Sequence, residues 1–173
     1  MGLPDSLTTP RLNLRGWRRR DAEARRAAID ASDAHLRPWI PFMGEEPRSL
    51  EQTRELLDQY HQEFRVDLHY RYAIWVHRSL VGEVLLIGGG APQERELGYW
   101  LHHSHCGLGY MTEAASCVIQ AASDCLGVRR LRVRCDERNR PSIAVAQRLG
   151  ARFDTPERLA DGVVLEHWVI ELT

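Results

Sequence analysis

Two glycines, Gly107 and Gly109, separate a strand-like segment from a helix-like segment of the chain. The strand-like segment covers residues 96–101, and the helix-like segment runs from residue 109 to about residue 126 with apolar residues on one face. Glycine permits a tight turn and a close approach of backbone to ligand. Because the following helix presents free amide groups and the positive end of its dipole, the segment suits an anion such as a pyrophosphate. A glycine-containing turn without a ligand is the alternative interpretation.

Two common phosphate-binding loops do not fit these residues. A dinucleotide-binding GxGxxG loop needs a third glycine at position 112, where the chain has Thr112. A Walker loop needs a lysine, but the chain contains 23 arginines and no lysine. The absence of lysine also excludes a Schiff-base lysine and a lysine general base. The sequence therefore predicts an anion-binding loop of another kind.

Histidine and cysteine residues crowd the segment that precedes the first glycine. His102, His103, His105 and Cys106 all lie within residues 102–106. So dense a cluster on one chain segment gives poor tetrahedral geometry for zinc. We therefore expect no metal site there.

The elements that must position these residues alternate between strand-like and helix-like patterns, with a proline-rich loop at residues 35–43. Such an alternation predicts an α/β (α+β mixed) fold, with a central twisted mixed sheet of about seven strands and helices on both faces. The predicted strands are residues 9–15, 70–76, 80–87, 96–101, 128–135, a segment around 153 and 163–172. The predicted helices are residues 22–31, 50–64, 109–126 and 141–150.

The composition limits the class of protein. A chain of 173 residues fits a single domain, here residues 1–173. The formal net charge of −1 argues against a general nucleic-acid binder. The most apolar run, residues 84–87, is far shorter than the about 20 residues that span a bilayer, so we expect no membrane segment. The cysteines (Cys106, Cys117, Cys125 and Cys135) lack zinc-ribbon spacing, and reduced thiols in the cytoplasm are the simple interpretation.

Four segments together resemble a known family. They are ELGYWL at residues 96–101, GLGYMTEA at 107–114, RCDERNRPS at 134–142 and LGA at 149–151. In this order and spacing they resemble the GNAT superfamily of acetyl-CoA-dependent N-acetyltransferases. The resemblance covers nearly the whole chain and is greatest to the RimJ/RimL type, which acetylates protein N-termini, notably those of ribosomal proteins. It implies the GNAT fold, acetyl-CoA as cosubstrate and no metal.

The resemblance also implies a binding site for acetyl-CoA. Backbone amides from Gly107 to Thr112 would hold the pyrophosphate, and the strand around Tyr99 would diverge from its neighbour to pair with the pantetheine arm. One departure is Ser104, at a position where the superfamily often has Gln or Arg. The residues assigned to the cosubstrate on this basis are Tyr99, Trp100, Leu101, Gly107, Leu108, Gly109, Tyr110, Met111, Thr112, Asn139 and Ser142.

Acetyl transfer to an amine needs a neutral amine, a stabilised oxyanion and a proton for the departing thiolate. The resemblance implies that Ser142 lies near the sulfur and donates that proton, although a serine there also suits the start of a helix. Glu96 could deprotonate the amine through water, or it could be a surface carboxylate. Glu157 and Asp161 are rival bases. Because N-terminal amines have lower pKa values than lysine side chains, an enzyme without a dedicated base is a further alternative.

The acceptor is the least determined part of the prediction. Trp39 and Phe42, with Met43, could line a substrate groove or could anchor their own loop. The arginines at 18–20, 25 and 26 indicate a solvated face, or a contact for an acidic protein. A protein or peptide N-terminus, such as that of a ribosomal protein, is the favoured acceptor. A small-molecule amine and a CoA-binding module without turnover are the alternatives. We expect a cytoplasmic protein without nucleic-acid or membrane partners. A homodimer is an expectation that follows from the type that the chain resembles.

Overall fold

An eight-stranded mixed sheet forms the centre of the computed structural model, which describes residues 2–173. In spatial order it runs β1-β2-β3-β4-β5-β6-β8-β7, and every neighbouring pair is antiparallel except β5 and β6. The strands are β1 (Ser6–Thr8), β2 (Asn13–Gly16), β3 (His69–Val76), β4 (Ser79–Ile87), β5 (Glu94–Leu101), β6 (Arg130–Asp136), β7 (Arg152–Arg158) and β8 (Val164–Glu171).

Five α-helices and three short 3-10 helices connect the strands. The α-helices are α1 (Ala22–Ala31), α2 (Asp33–Leu36), α3 (Leu50–Arg65), α4 (Tyr110–Leu126) and α5 (Arg140–Arg148). The 3-10 helices are Arg19–Asp21, Pro41–Glu45 and His103–His105. Helix α3 begins with a capping box formed by Ser49 and Gln52. Among residues 2–173, no helix is both long and apolar enough to cross a bilayer.

Alternate residues of the strands contribute to two cores on opposite faces of the sheet. On β3, Tyr72 and Ile74 pack in the core that contains the buried face of α4, whereas Ala73 packs in the core that contains α1 and α3. On β5, Leu97 belongs to the first core and Trp100 to the second. The helices therefore cover both faces, as the sequence predicts.

The parallel pair β5–β6 stops pairing after the third of the eight residues of β5. Its register contains only three residue pairs, from Glu94 with Arg130 to Glu96 with Arg132. Strand β5 nevertheless stays paired with β4 as far as Leu101, and β6 stays paired with β8 as far as Asp136. The two strands thus diverge after Glu96, and the β6-facing edge of β5 is left without a strand partner.

Two segments differ from the sequence-based prediction. Residues 9–12 form a turn between β1 and β2 instead of part of a single strand, because the Thr9 amide donates to the Leu12 carbonyl (2.9 Å) and the Leu12 amide donates to Thr9 Oγ1 (3.0 Å). This turn gives the sheet its eighth strand. The predicted loop at 35–43 contains the last turn of α2 and the start of a 3-10 helix. Proline favours both boundaries, because Pro38 has no amide hydrogen with which to extend α2 and Pro41 occupies the first position of the 3-10 helix.

The predicted solvated face of arginines is wrong for Arg25. Its side chain is 1% exposed and donates to Glu46, whose side chain is also 1% exposed (3.1 Å). Arg26 Nη1 (2.7 Å) and Arg48 Nη1 (3.3 Å) contact the same carboxylate. This cluster joins α1 to the chain that follows α2, and Arg37 reinforces the connection by donating to the Met43 carbonyl (2.7 Å).

We expect the Glu46→Ala substitution to lower the free energy of unfolding by about 3–5 kcal/mol, because it leaves Arg25 buried without its counter-charge. Urea unfolding measures the change. The matched control is Glu45→Ala, since Glu45 is 70% exposed and pairs only at the surface with Arg48. We expect that variant to stay within about 0.5 kcal/mol of the wild type. Equal effects of the two substitutions would contradict the structural role of Glu46.

Candidate active site

The two glycines of the predicted anion loop both adopt left-handed backbone conformations. The φ angle is +77° at Gly107 and +78° at Gly109, a region that other residues enter at an energetic cost. Gly109 is the N-cap of α4, a helix of 17 residues. The first-turn amides of such a helix have no partner within it and carry the positive end of the dipole. They border a cavity of about 540 Å³ lined by Gly107, Gly109 and residues 110–113.

The turn between β1 and β2 holds this loop in place through hydrogen bonds to Leu108 and Glu113. Arg11 Nη1 donates to the Leu108 carbonyl (2.9 Å), and Arg11 Nε donates to Glu113 Oε2 (2.6 Å). The Thr9 hydroxyl and the Arg11 amide donate to Glu113 Oε1 (2.5 and 3.1 Å). Burial alone would raise the pKa of Glu113, but the hydrogen bonds from Thr9 and Arg11 outweigh it and lower that pKa. Glu113 is therefore an anion that binds its own chain, and the loop amides stay available.

A second cavity, of about 420 Å³, lies where β5 and β6 diverge. It includes the neighbours Tyr99 and Trp100, whose side chains point to opposite faces of the sheet. The cavity therefore wraps around the open edge of β5. It shares five lining residues with the loop cavity, so the two spaces adjoin. The shared residues are Leu101, Gly107, Met111, Val145 and Arg148.

Ser142 lines this second cavity from the first turn of α5. Asn139 caps the helix, since its side-chain oxygen accepts from the Ser142 amide (3.4 Å), and the Ser142 hydroxyl, which takes no part in the cap, donates to Tyr99 Oη (3.5 Å). Ser142 Oγ lies 3.2 Å from Cys135 Sγ, and Tyr99 Oη donates to the Ser142 carbonyl (2.9 Å). Burial raises the pKa of both Tyr99 and Cys135. Ser142 thus has neutral, protonated neighbours.

The candidate bases Glu96, Glu157 and Asp161 lie apart from Ser142. Glu96 is the last β5 residue paired with β6, lines a separate cavity and forms an ion pair with Arg134 (3.1 Å). Glu157 Oε2 lies 2.8 Å from His167 Nε2 on the neighbouring strand β8. Asp161 accepts from the Val163 amide (3.0 Å) in the turn between β7 and β8. None of the three lines the cavity that contains Ser142.

The candidate acceptor residues divide between the cavity and the core. Trp39 lines the cavity together with Leu36 and Ile40. Phe42 packs edge-on against Trp100 at 6.5 Å between ring centroids and does not line the cavity. Met43 is fully buried and anchors the loop.

Most residues assigned to the cosubstrate line one of the two adjoining cavities. Leu108 does not, because its side chain is exposed and its carbonyl faces Arg11. The sequence-based prediction missed Val145 and Arg148, which line both cavities. Their spacing of three residues along α5 from Ser142 is a helical-face pattern that identifies them once Ser142 is placed. Among residues 2–173, no group of three His, Cys, Asp or Glu side chains is arranged to hold a metal ion.

The family model described as an acetyltransferase (GNAT) domain matches residues 11–152. The chain belongs to the GNAT family of acetyltransferases. The family, the fold class and the enzyme class predicted from the sequence are confirmed, and acetyl-CoA is the cosubstrate that GNAT enzymes use.

Similar proteins agree with this membership. A curated relative from Bacillus subtilis (strain 168), the probable N-acetyltransferase YjcK, is 31% identical over 106 residues, and the match covers 59% of each chain. Microcin C7 self immunity acetyltransferase MccE, solved with acetyl-CoA and AMP, superposes with a TM-score of 0.89 at 18% identity over 98% of this chain and 97% of its own. RimL, a ribosomal L7/L12 alpha-N-protein acetyltransferase solved with coenzyme A, gives 0.88 at 19% identity and the same coverage. Mycobacterium smegmatis RimJ, in complex with CoA-disulfide, gives 0.85 at 22%, covering 99% of this chain and 90% of its own. At these identities the structural likeness shows the GNAT fold alone.

We expect Gly109→Ala to weaken acetyl-CoA binding about tenfold. An alanine in the left-handed conformation of Gly109 is strained by on the order of 1–3 kcal/mol, and relief of this strain shifts the loop from its binding geometry. Calorimetric titration with acetyl-CoA measures the affinity. Gly44→Ala is the matched control, since a Cβ there meets nothing within 4 Å and its φ is not left-handed. Unchanged affinity in Gly109→Ala would mean that the loop does not bind the cosubstrate.

Proposed function

We propose that this protein transfers an acetyl group from acetyl-CoA to a primary amine by direct attack in a ternary complex, and that the amine is a protein or peptide N-terminus. The observation that supports the proposal is the continuity of the two cavities around the open edge of β5. One cavity contains the anion loop and the other contains Ser142. A long cosubstrate with a phosphate group at one end and a thioester at the other fits this arrangement.

The proposed binding follows from the backbone. The amides at the start of α4 hold the pyrophosphate, and the strand edge from residue 97 to residue 101 offers hydrogen-bonding groups to the amides of the pantetheine arm. An amide chain laid along an open strand edge is a common mode of recognition. Arg148, exposed beside both cavities, supplies a positive charge for a phosphate. The thioester then lies next to Ser142.

The proposed chemistry uses few side chains. The amine nitrogen attacks the thioester carbonyl carbon, and the carbonyl electron pair moves to oxygen. As the C–S bond breaks, the Ser142 hydroxyl donates a proton to the sulfur. A hydroxyl suits this role better than the neighbouring Cys135 thiol, which is buried and faces Ser142. Solvent restores the serine proton.

A peptide N-terminus is favoured by the apolar lining beside the thioester position. Leu36, Trp39 and Ile40 border the cavity and offer surface to the first side chains of a peptide. Neighbours of the same fold include RimL and RimJ, and the first is described as an alpha-N-protein acetyltransferase. A small-molecule amine is the second candidate, because a space of about 420 Å³ is also large enough for a compact ligand.

An acceptor screen tests the proposal. We expect release of free CoA and mass gain of one acetyl group on peptides with a free N-terminus, and no reaction on the same peptides blocked at the N-terminus. If only polyamines or amino acids are acetylated, the acceptor is a small-molecule amine and not a peptide N-terminus. Tight acetyl-CoA binding without turnover on any amine would contradict the enzymatic function.

We expect Ser142→Ala to lower kcat about 10²-fold with little change in the affinity for acetyl-CoA, because the thiolate loses its proton donor. Steady-state kinetics and calorimetry separate the two quantities. Ser123→Ala is the control, since Ser123 lies on α4 and lines neither cavity. Wild-type kcat in Ser142→Ala would remove Ser142 from the mechanism.

The cellular setting is part of the proposal. The four cysteines are free thiols, which suits the reducing cytoplasm.

The single domain and the homodimer expected from the sequence stay predictions. Size-exclusion chromatography with light scattering tests the homodimer.

A further inference from the structure

The attacking amine loses a proton in the proposed reaction, and a side chain of the cavity can receive it. The cavity that contains Ser142 is lined by only four other titratable side chains among the described residues: His35, Tyr99, Cys106 and Arg148. Arginine stays charged at any working pH. Burial raises the pKa of Tyr99 and of Cys106, so both keep their protons at neutral pH. His35 is the remaining side chain that can accept one.

The position of His35 is set by the helical turn on which it lies. The His35 and Leu36 amides both donate to the Ser32 carbonyl (3.0 and 2.9 Å). Leu36 is buried in the core shared by α1 and α3, which fixes the turn against the sheet. His35 itself is exposed at the cavity, between Cys106 on one side and the apolar residues around Trp39 on the other. A proton accepted there can pass to solvent.

Cys106 contacts one of the two ring nitrogens of His35 and leaves the other open. Cys106 Sγ lies 3.7 Å from the main-chain carbonyl oxygen of His102, and a thiol has a single hydrogen to donate to that oxygen. The sulfur also lies 3.5 Å from His35 Nε2. With the thiol hydrogen on the His102 carbonyl, Nε2–H donates to the sulfur and the lone pair stays on Nδ1. Within the described residues, no hydrogen bond engages His35 Nδ1.

The surroundings of His35 keep its ring neutral. Burial lowers the pKa of His35 below its usual value, and repulsion from His103 lowers it further. Asp33 and Arg37 on the same turn are paired with each other (2.8 Å). On other elements, Cys106 contacts His35, His102 and His103 lie within electrostatic range of it, and Tyr99 and Arg148 line the same cavity. None of them is an anion at neutral pH, so nothing in this set stabilises the imidazolium.

We propose that His35 is the general base of the acetyl transfer and that its Nδ1 accepts the proton of the attacking amine. The inference rests on the proposed function and deepens it. As the C–N bond forms, one N–H bond of the amine breaks and its proton moves to Nδ1, giving an imidazolium. The C–S bond then breaks, and the sulfur takes a proton from Ser142. The imidazolium releases its proton to solvent, which restores the serine, so that one amide and one thiol are formed.

Two substitutions of His35 test this role against a structural one. We expect His35→Gln to lower kcat about 10²-fold while the Kd for acetyl-CoA changes less than about twofold. In the wild type, kcat falls as the pH drops through the pKa of His35, and this limb disappears in His35→Gln. His35→Ala opens space beside Cys106, and added imidazole should restore its turnover about tenfold. A packing residue would not be rescued by a soluble base.

His105→Gln is the matched control, because His105 lies in the same histidine-rich segment but does not line the cavity. We expect it to keep the wild-type kcat and pH profile. If the wild type turns over while His35→Gln keeps a kcat within threefold and an unchanged acid limb, the assignment of His35 is overturned and the proposed function stands. If the wild type binds acetyl-CoA but acetylates no amine, the proposed function itself fails, and the role of His35 fails with it.

Discussion

The divergence of β5 from β6 is the constraint on which the rest of the site depends. Three residue pairs hold the two strands together, and beyond Glu96 each strand keeps only its outer partner. An open edge in the middle of a sheet exposes backbone donors and acceptors that other folds would pair. Here helices on both faces enclose that edge, so it becomes the wall of a cavity rather than a surface for aggregation.

Each neighbouring element contributes one feature to this opening. Helix α4 brings its amino end to one side, and Arg11 and Glu113 hold the left-handed glycine loop in front of it. Helix α5 brings Ser142 to the other side, with Asn139 as its cap. The turn of α2 closes the space on the side of His35 and Trp39, and the buried Arg25–Glu46 pair joins α1 to the chain that follows α2. Because the chain contains no lysine, arginine side chains supply the positive charge in these contacts.

The sequence predicted the family by resemblance and the mixed sheet from alternating strand-like and helix-like patterns. The glycine turn at 107 and 109 and the amphipathic helix after it are local patterns, and the structure contains both. The sequence also predicted Asn139 and Ser142 by resemblance. Short-range turn chemistry was missed at Thr9, where a side-chain hydrogen bond breaks the expected strand. Long-range pairing was also missed. The sequence predicts Arg25 at the surface, because its partner Glu46 lies 21 positions away and contacts it only in the folded chain. The same limitation hid His35, which reaches the cavity only through the tertiary placement of α2.

Hydrogen exchange of the β5 backbone, measured by mass spectrometry with and without acetyl-CoA, tests the central claim most directly. The account predicts that peptides covering residues 97–101 and 107–112 become strongly protected when acetyl-CoA binds, since the cosubstrate occupies the open strand edge and the loop amides. Peptides from the already paired strand β3 should exchange at the same rate in both states. Tight binding of acetyl-CoA without protection of residues 97–101 would contradict the account, because the cosubstrate would then lie elsewhere than along the divergence of β5 and β6.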